Sequence, residues 1–351
     1  MYKGVNEMIR YSKSTEDVIG IKKDYTKDNS KYLQNVLKIN EKYIEQPIRL
    51  TCKICENIIT SDYDFISHNV PYVFCTSCGH VNGLHQETNE FLNWLYFSNA
   101  GENYGSDYYN LYQERVNKIY QPKILFLRDV IDSKKDSLSL IDIGTGAGHL
   151  VAASLKLGLM ANGIDVNQKL VDLGNSSMEK LYGFNDNKLS CVTSEKDMLH
   201  HIKNSKSSVI SFMCTLNHCQ DVSSYLRTFH ESEARYLFLQ VPMFSISSLI
   251  SISHSEIYPR VLGGAHTHIF TENSINYLLE KFKLKILGEW RFGSDILDLK
   301  RTLMNSVNAS NSATRISEQF EKLLSNKVIN SLQSVLDQNH VTDEIHFVLE
   351  K

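Results

Sequence analysis

LIDIGTGAGHL, residues 140–150, predicts a buried strand, a glycine-rich turn and the start of a helix. Its glycines at 144, 146 and 148 are spaced G-x-G-x-G, whereas the dinucleotide-binding fingerprint requires a further glycine where His149 stands. Asp165 lies at the end of the next predicted strand, 21 residues after Gly144. An acid at this place can accept hydrogen bonds from both hydroxyls of a ribose. The order of strand, loop, helix, strand and acid favours a nucleotide-type ligand over a tight turn that binds nothing.

Beyond this loop the chain alternates between apolar strands and amphipathic helices. Residues 207–214 and 234–242 are further predicted strands, and residues 271–282 form a predicted helix capped by Thr271. This alternation predicts an α/β fold with a mostly parallel, doubly wound, Rossmann-like sheet. The alternating stretch EIHFVLEK, residues 344–351, predicts a last strand at an edge of that sheet.

Changes in composition divide the chain into six predicted segments. They are an N-terminal helical arm (1–46), a cysteine module (47–86), an aromatic-rich helical linker or lid (87–136), a ligand-binding core (137–300), a helical insertion (301–341) and a final core strand (342–351). The insertion carries an apolar helical stripe, which predicts a helix packed on the core. The alternatives for that stripe are the seam of a homodimer or a lid.

Four cysteines form two closely spaced pairs. Cys52 and Cys55 form one C-x2-C pair, and Cys75 and Cys78 form a second pair after 19 intervening residues. Two such pairs supply four thiolates to one tetrahedral ion, which is typical of a structural zinc site with a closed coordination sphere. The alternative is a set of unrelated core cysteines.

The composition argues against several classes of partner. The net charge of −3 offers no basic field for a nucleic-acid backbone. The apolar runs are far shorter than the roughly 20 residues that span a bilayer. The first residues, MYKGVNEMIRYSKS, lack the apolar region of a secretory signal, so we expect a cytoplasmic protein without membrane contact.

The glycine loop resembles the first motif of class I S-adenosylmethionine (SAM)-dependent methyltransferases. The motif residues are Asp142, Gly144, Thr145, Gly146 and Gly148. Asp165 matches the ribose-binding acid of that family, and segments 216–218 and 240–242 are similar to its strand ends. The resemblance runs from about residue 48 to the C-terminus. It implies that the core binds SAM and that the chain is an enzyme transferring a methyl group.

The cysteine module extends the resemblance to the zinc-bearing C-methyltransferases of deoxysugars and their relatives. It implies structural zinc, a role in carbohydrate biosynthesis, and a small acceptor such as a nucleotide-linked sugar or a glycan precursor. Two features differ from that group. Ala265 precedes His266 where those enzymes have a glutamate, and a helical segment of about 50 residues replaces their second α/β domain. The acceptor atom, oxygen or carbon, therefore stays open.

Three histidines are candidates for the general base, because the free histidine pKa of about 6.5 lies near working pH. His266 is the first candidate and His218, after the fourth core strand, is the second. His268 shares the face of His266 if that segment is extended. The alternatives are structural histidines, or a metal-binding H-x-H pair whose third ligand has no candidate.

The aromatic segment ahead of the core supplies candidate cofactor contacts. Tyr104, Tyr108 and Tyr112 follow one another at helical spacing, which places them on one side of a helix. In the resembling group, similar tyrosines lie over the cofactor, and a ring face can stabilise a sulfonium. The alternative is packing between module and core.

Three functions remain in competition. The leading hypothesis is methyl transfer from SAM to a small acceptor with a histidine base. The others are an NAD(P)-dependent oxidoreductase on a Rossmann core and a non-catalytic partner protein that docks through its zinc module.

Overall fold

An eight-stranded sheet organises the part of the chain that the computed structural model describes, which is residues 8–21, 28–60, 62–97, 111–131, 138–263, 265–310 and 314–351. In spatial order its strands are β1 (Met8–Tyr11), β11 (Lys285–Arg291), β12 (Glu344–Glu350), β9 (Tyr236–Pro242), β8 (Val209–Met213), β5 (Ser139–Ile143), β6 (Met160–Asp165) and β7 (Leu189–Cys191). Only the pairs that include β12 are antiparallel among these described strands. The predicted, mostly parallel α/β sheet is confirmed.

Helices connect the strands and cover both faces of the sheet. The described helices are α1 (Thr15–Ile21), α2 (Asn29–Ile44), α3 (Asn89–Phe97), α4 (Tyr112–Arg115), α5 (Gln121–Val130), α6 (His149–Lys156), α7 (Gln168–Tyr182), α8 (Glu195–Lys203), α9 (Val222–Glu231), α10 (Ile246–Ser253), α11 (Glu272–Lys281), α12 (Asp295–Ser310), α13 (Thr314–Leu323) and α14 (Asn326–Gln338). A hydrophobic core lies on each face of the sheet. Successive side chains of β5 point to opposite faces: Leu140 packs in the core with α5, α6 and α7, and Ile141 packs in the core with α8, α9 and α11. No helix within the described ranges is both long and apolar enough to cross a membrane.

The prediction that the last strand lies at a sheet edge is wrong. β12 lies inside the sheet, antiparallel to β9 on one side and to β11 on the other. Its central residues, Ile345 to Leu349, are buried. The alternation in EIHFVLEK is interrupted by the run FVL, and such a continuous apolar run fits a strand covered on both faces.

The strand at the sheet edge next to β11 is β1. It lies within residues 1–46, for which the sequence predicts a helical arm. β1 is only four residues long and pairs in parallel with β11, with Met8 opposite Gly288. The Arg10 guanidinium lies 4.3 Å from the centre of the Trp290 ring. So short a strand has no periodicity that a sequence pattern can reveal.

The cysteine module forms a second, antiparallel sheet. Its strand order is β10 (His268–Ile269), β4 (Val81–Gly83), β3 (Val70–Phe74) and β2 (Phe65–Ser67). β10 comes from the long excursion between β9 and α11, so the module and the core share this sheet. The excursion carries the histidines of the sequence GGAHTH, and the module therefore determines where they lie.

The apolar stripe of the helical insertion faces outward over much of its length. Leu323 is 71% exposed and Val335 is 57% exposed, so the predicted packing of the whole stripe on the core is wrong. α14 instead buries Ile329, Gln333 and Asp337. The Gln333 side chain donates hydrogen bonds to carboxylate oxygens of Asp337 and Asp295, at 2.9 and 3.3 Å. This buried polar contact fixes the rotation of the helix and turns its apolar stripe to the surface.

Candidate active site

The glycine loop between β5 and α6 has open space at its centre. Gly144, Gly146 and Gly148 have φ angles of 68°, 58° and 71°, which glycine adopts without steric strain. A Cβ atom at Gly144 would lie 2.5 Å from the Thr215 side chain. A Cβ atom at Gly148 would lie 2.6 Å from Leu189, whereas one at Gly146 would meet no atom of the described residues within 4 Å. The loop lies where the chain order of the sheet reverses, between β5 and β8, and open α/β sheets bind ligands there.

Asp165, at the end of β6, is tied directly to this loop. Its carboxylate accepts hydrogen bonds from the backbone N–H groups of Gly146, at 2.7 Å, and Asn167, at 2.8 Å. Burial raises the pKa of Asp165. A carboxylate offers about four lone-pair sites, so capacity remains for ribose hydroxyls beside the open centre of the loop.

Asp142 and Thr145 support the loop from the side of the sheet. Asp142 is buried in β5 and accepts a hydrogen bond from the Ser211 hydroxyl at 2.7 Å. Burial raises the pKa of Asp142 to about 7. The Thr145 side chain covers Gly163 of β6, where a Cβ atom would lie 2.7 Å from its Oγ1. Asp142 and Thr145 therefore contact the neighbouring strands β8 and β6 and hold the loop against the sheet.

Tyr112 contacts the loop from α4, at the start of the helical segment that precedes the core. Its hydroxyl donates to the Ala147 carbonyl at 3.0 Å, and its ring stacks on His149 with centroids 4.4 Å apart. Tyr120 stacks on the same imidazole at 5.3 Å. His149 thus joins the loop to the aromatic segment where the dinucleotide fingerprint would have glycine. Tyr104 lies outside the described residues.

His218 and His266 come together although they lie 48 positions apart in the sequence. His218 ends the short 3-10 helix after β8, and His266 lies in the excursion after β9. Their ring centroids are 5.4 Å apart, and both side chains are partly exposed. Tyr96 of α3 packs edge-on against His218 at 6.1 Å. The two imidazoles therefore form one accessible pair beyond the strand ends.

The surroundings of the pair keep both imidazoles uncharged at neutral pH. Burial, and then the neighbouring His266, lower the pKa of His218 to about 3. Burial and the nearby Arg260 lower the pKa of His266 to about 4. An uncharged imidazole can accept a proton, and it does not repel a cation bound beside it.

The structure does not bring His268 to this pair. His268 begins β10 and has no exposed surface, and its Nδ1 atom lies 2.9 Å from Nε2 of His80 in the cysteine module. His266 lies before β10 in a bend, where its N–H donates to the Gly263 carbonyl at 3.0 Å. The bend breaks the extended geometry that would have placed both histidines on one face.

The four cysteines of the module converge on one point. The Sγ atoms of Cys52, Cys55, Cys75 and Cys78 all lie within 4.8 Å of one another and are buried. Two of the sulfur pairs are 3.6 and 3.4 Å apart, far longer than a disulfide bond. Tetrahedral zinc with bonds of about 2.3 Å separates its sulfur ligands by about 3.8 Å. The donor set and its spacing fit a structural metal ion.

Two buried side chains near the pair were not identified from the sequence. The Tyr72 hydroxyl donates to the His266 carbonyl at 3.0 Å, and the Glu87 carboxylate accepts a hydrogen bond from Thr267. Tyr72 lies in the apolar stretch VPYVF, where nothing distinguishes it from another core strand residue, and Glu87 lies outside any motif. Only their long-range contacts identify them.

Comparison with known proteins identifies the family. A model described as a methyltransferase domain matches residues 112–289, which is just over half of the chain. No curated protein matches the sequence.

Solved methyltransferase structures are similar to this chain at low identity. The plantazolicin methyltransferase BpumL in complex with SAH is 17% identical, with a TM-score of 0.42, covering 74% of this chain and 93% of that one. Magnesium protoporphyrin IX methyltransferase from Synechocystis PCC 6803 with bound SAH is 15% identical, with a TM-score of 0.39, covering 54% and 87%. A SAM dependent methyltransferase from Archaeoglobus fulgidus is 15% identical, with a TM-score of 0.40, covering 70% and 100%.

The family match, and not these distant likenesses, decides among the three hypotheses. The matched domain is a methyltransferase domain, so it favours the first hypothesis over an NAD(P)-dependent oxidoreductase and over a non-catalytic partner protein. The loop, the acid that follows it and the matched family agree, and the chain therefore belongs to the methyltransferase-domain family and is a SAM-dependent methyltransferase.

Proposed function

We propose that this enzyme transfers a methyl group from SAM to a small acceptor held beside His218 and His266, with His266 as the general base. The observation that carries the proposal is the pairing of two partly exposed imidazoles, 5.4 Å apart, just beyond the strands that follow the glycine loop. Acceptors of open α/β sheets approach from this edge. His218 lies next to the base and orients it or replaces it.

The proposed cofactor site consists of the glycine loop and the residues around it. Its members are Asp142, Gly144, Thr145, Gly146, Gly148, Asp165, Tyr104 and Tyr112. SAM supplies an activated methyl group on a sulfonium. Asp165 holds the ribose, Gly146 admits the cofactor close to the backbone, and Tyr112 fixes the loop through the Ala147 carbonyl. The chain's remaining task is to align the acceptor and remove its proton.

The base acts in its uncharged form. Because the pKa of His266 is about 4, its imidazole is uncharged at neutral pH and can accept a proton, but it is a weaker base than an ordinary histidine. A charged histidine beside the sulfonium would weaken cofactor binding through repulsion. The low pKa values of the pair thus avoid repulsion of a nearby positive charge at the cost of lower basicity.

For the acceptor we propose a nucleotide-linked sugar or a glycan precursor, methylated at oxygen or carbon in carbohydrate biosynthesis. This proposal rests on the resemblance of the cysteine module and core to the sugar C-methyltransferase group. We propose zinc as the metal of the cysteine cluster. We further propose that the protein is cytoplasmic and that it forms a homodimer through residues 301–341. We also propose the six-segment division of the chain, except that β1 of the N-terminal segment belongs to the core sheet and β10 belongs to the sheet of the module.

The test uses the purified full-length protein. We expect SAM and its demethylated product to bind in calorimetry, and labelled methyl groups to pass from SAM to at least one member of a panel of nucleoside-diphosphate sugars. His266→Ala should retain SAM binding and lose about 100-fold in turnover. Turnover within a few-fold of wild type would place the base elsewhere, and the absence of SAM binding would overturn the whole proposal.

A further inference from the structure

The segment that carries His266 is hydrogen-bonded to the cysteine module on both sides of the histidine. Gly263 has a φ of 76°, and the His266 N–H donates to its carbonyl, so the chain turns back on itself here. Directly after the turn, the Thr267 carbonyl accepts from the N–H of Gly83 at 2.7 Å, at the end of β4. The strand β10 then pairs with β4.

Tyr72 of β3 closes the turn with its hydroxyl. The hydroxyl donates to the His266 carbonyl at 3.0 Å and accepts from the Gly263 N–H at 2.6 Å. The ring has no exposed surface. One buried side chain therefore fixes the backbone on both sides of the bend, where Gly263 provides no side chain of its own to restrain it.

Glu87 provides a second attachment next to the base. Its carboxylate accepts from the Thr267 hydroxyl and from the Lys53 ammonium, the latter at 2.7 Å. Its backbone carbonyl accepts from the Gln220 side chain at 3.1 Å, two residues after His218. Lys53 itself lies between Cys52 and Cys55. Glu87 thus connects a cysteine pair with the His266 segment through its buried carboxylate, and with the His218 segment through its backbone carbonyl.

We infer that Tyr72 and Glu87 are positioning residues of the histidine pair, and that the cysteine module is the scaffold that sets the place of His266. This inference rests on the proposed function of His266 as the base. The physical reason is that a turn beginning with glycine has many accessible conformations, and buried hydrogen bonds from a rigid module select one of them.

The main experiment replaces one hydroxyl and observes the imidazole directly. In full-length, zinc-loaded protein with isotope-labelled histidines, the His266 ring signal is identified as the one lost in His266→Gln. Tyr72→Phe should shift or broaden that signal, because the ring currents of two imidazoles 5.4 Å apart change when one moves. SAM affinity and zinc content should stay within about twofold of wild type, since those sites share no partner with Tyr72.

Tyr43→Phe is the matched control. Tyr43 is also a buried tyrosine, and its hydroxyl donates to the backbone carbonyl of His85 and not to the His266 turn. It should leave the His266 signal at its wild-type position. An unchanged signal in Tyr72→Phe, or an equal change in both variants, overturns the inference.

A second pair of variants keeps the inference testable if Tyr72→Phe fails to fold. Thr267→Val keeps the shape of the side chain but removes the hydrogen bond to Glu87, whereas Thr267→Ser keeps the hydroxyl. The His266 signal should move in the valine variant and return in the serine variant. If neither variant moves it, Glu87 has no positioning role. A failure of the proposed function looks different, because turnover would then survive His266→Ala.

Discussion

Individual residues of the cofactor loop owe their roles to local backbone geometry. Gly146 has a positive φ and no described residue close to it, whereas Gly144 and Gly148 are enclosed by neighbouring side chains. Only the absence of a side chain lets a ligand come close to the loop at position 146. Within the proposed cofactor site, packing against neighbouring side chains already requires glycine at 144 and 148, whereas at 146 the proposed ligand is the reason for glycine.

Gly146→Ala should weaken SAM binding about tenfold or more, because a left-handed alanine is strained by about 1 kcal/mol and its methyl group enters the ligand space. Gly158→Ala is the control. Gly158 also has a positive φ, of 80°, with open space beside it, but it lies in the turn after α6. Calorimetric titration with SAM compares the two variants. Equal affinities would mean that the ligand does not approach Gly146.

At the scale of elements, buried polar contacts override the hydrophobic pattern of the insertion. α14 faces the core with Ile329, Gln333 and Asp337, although Leu332 and Val335 are more apolar than two of these. A buried carboxylate without donors is more costly than an exposed leucine. The helix therefore takes the rotation that satisfies Asp295 and Asp337.

Gln333→Leu should lower the free energy of unfolding by about 1–3 kcal/mol, because it removes the donor shared by two buried carboxylates. Leu332→Gln, one residue away on the exposed stripe, should change it by less than about 0.5 kcal/mol. Urea denaturation measures both variants. The reverse order of effects would contradict the observed rotation of α14.

The four cysteines of the cluster lie in the module that supplies three of the four strands of the second sheet. Cys75→Ser removes one of four thiolates, so we expect metal content to fall from one ion per chain toward zero and the thermal midpoint to drop. Cys191→Ser is the control, since Cys191 lies in β7, outside the cluster. Metal analysis with thermal unfolding distinguishes them. A stable Cys75→Ser protein without metal would show that the cluster is not structural.

At the scale of the whole molecule, buried neutral histidines make stability depend on pH. Burial lowers the pKa of His149 to about 3 and that of His346 well below its ordinary value. In the unfolded chain these groups titrate at about 6.5. Below that pH the unfolded state binds protons that the native state rejects, so the stability present above pH 6.5 is lost as the pH falls.

Each such histidine should lower the free energy of unfolding by about 2 kcal/mol between pH 6.5 and pH 5. Urea unfolding at pH 7 and pH 5 measures the loss. His149→Phe, which keeps an aromatic ring against Tyr112 and Tyr120, should show a smaller loss. An identical pH dependence in the variant would mean that His149 is protonated in the native state.

Much of the fold and the cofactor loop was predictable because their signals are local. The strand, loop, helix and acid around Gly144 and Asp165 lie within about 25 residues. Their order and spacing can therefore be read directly from the sequence. The interior place of β12 and the existence of β1 were not predictable, since both depend on which strands find partners. The same is true of the rotation of α14.

The amino-acid pattern alone thus determined the α/β class, the open glycine loop, its acid and the four-cysteine cluster, because each is set by spacing along a short stretch of chain. Tertiary structure determined that His266 meets His218, that His268 contacts His80, and that Tyr72 and Glu87 are hydrogen-bonded to the segment that carries His266. These outcomes depend on contacts between residues up to 194 positions apart, from Tyr72 to His266. Loop closure over such distances leaves no periodic trace in the sequence, because the deciding interactions are single buried hydrogen bonds and not repeating patterns.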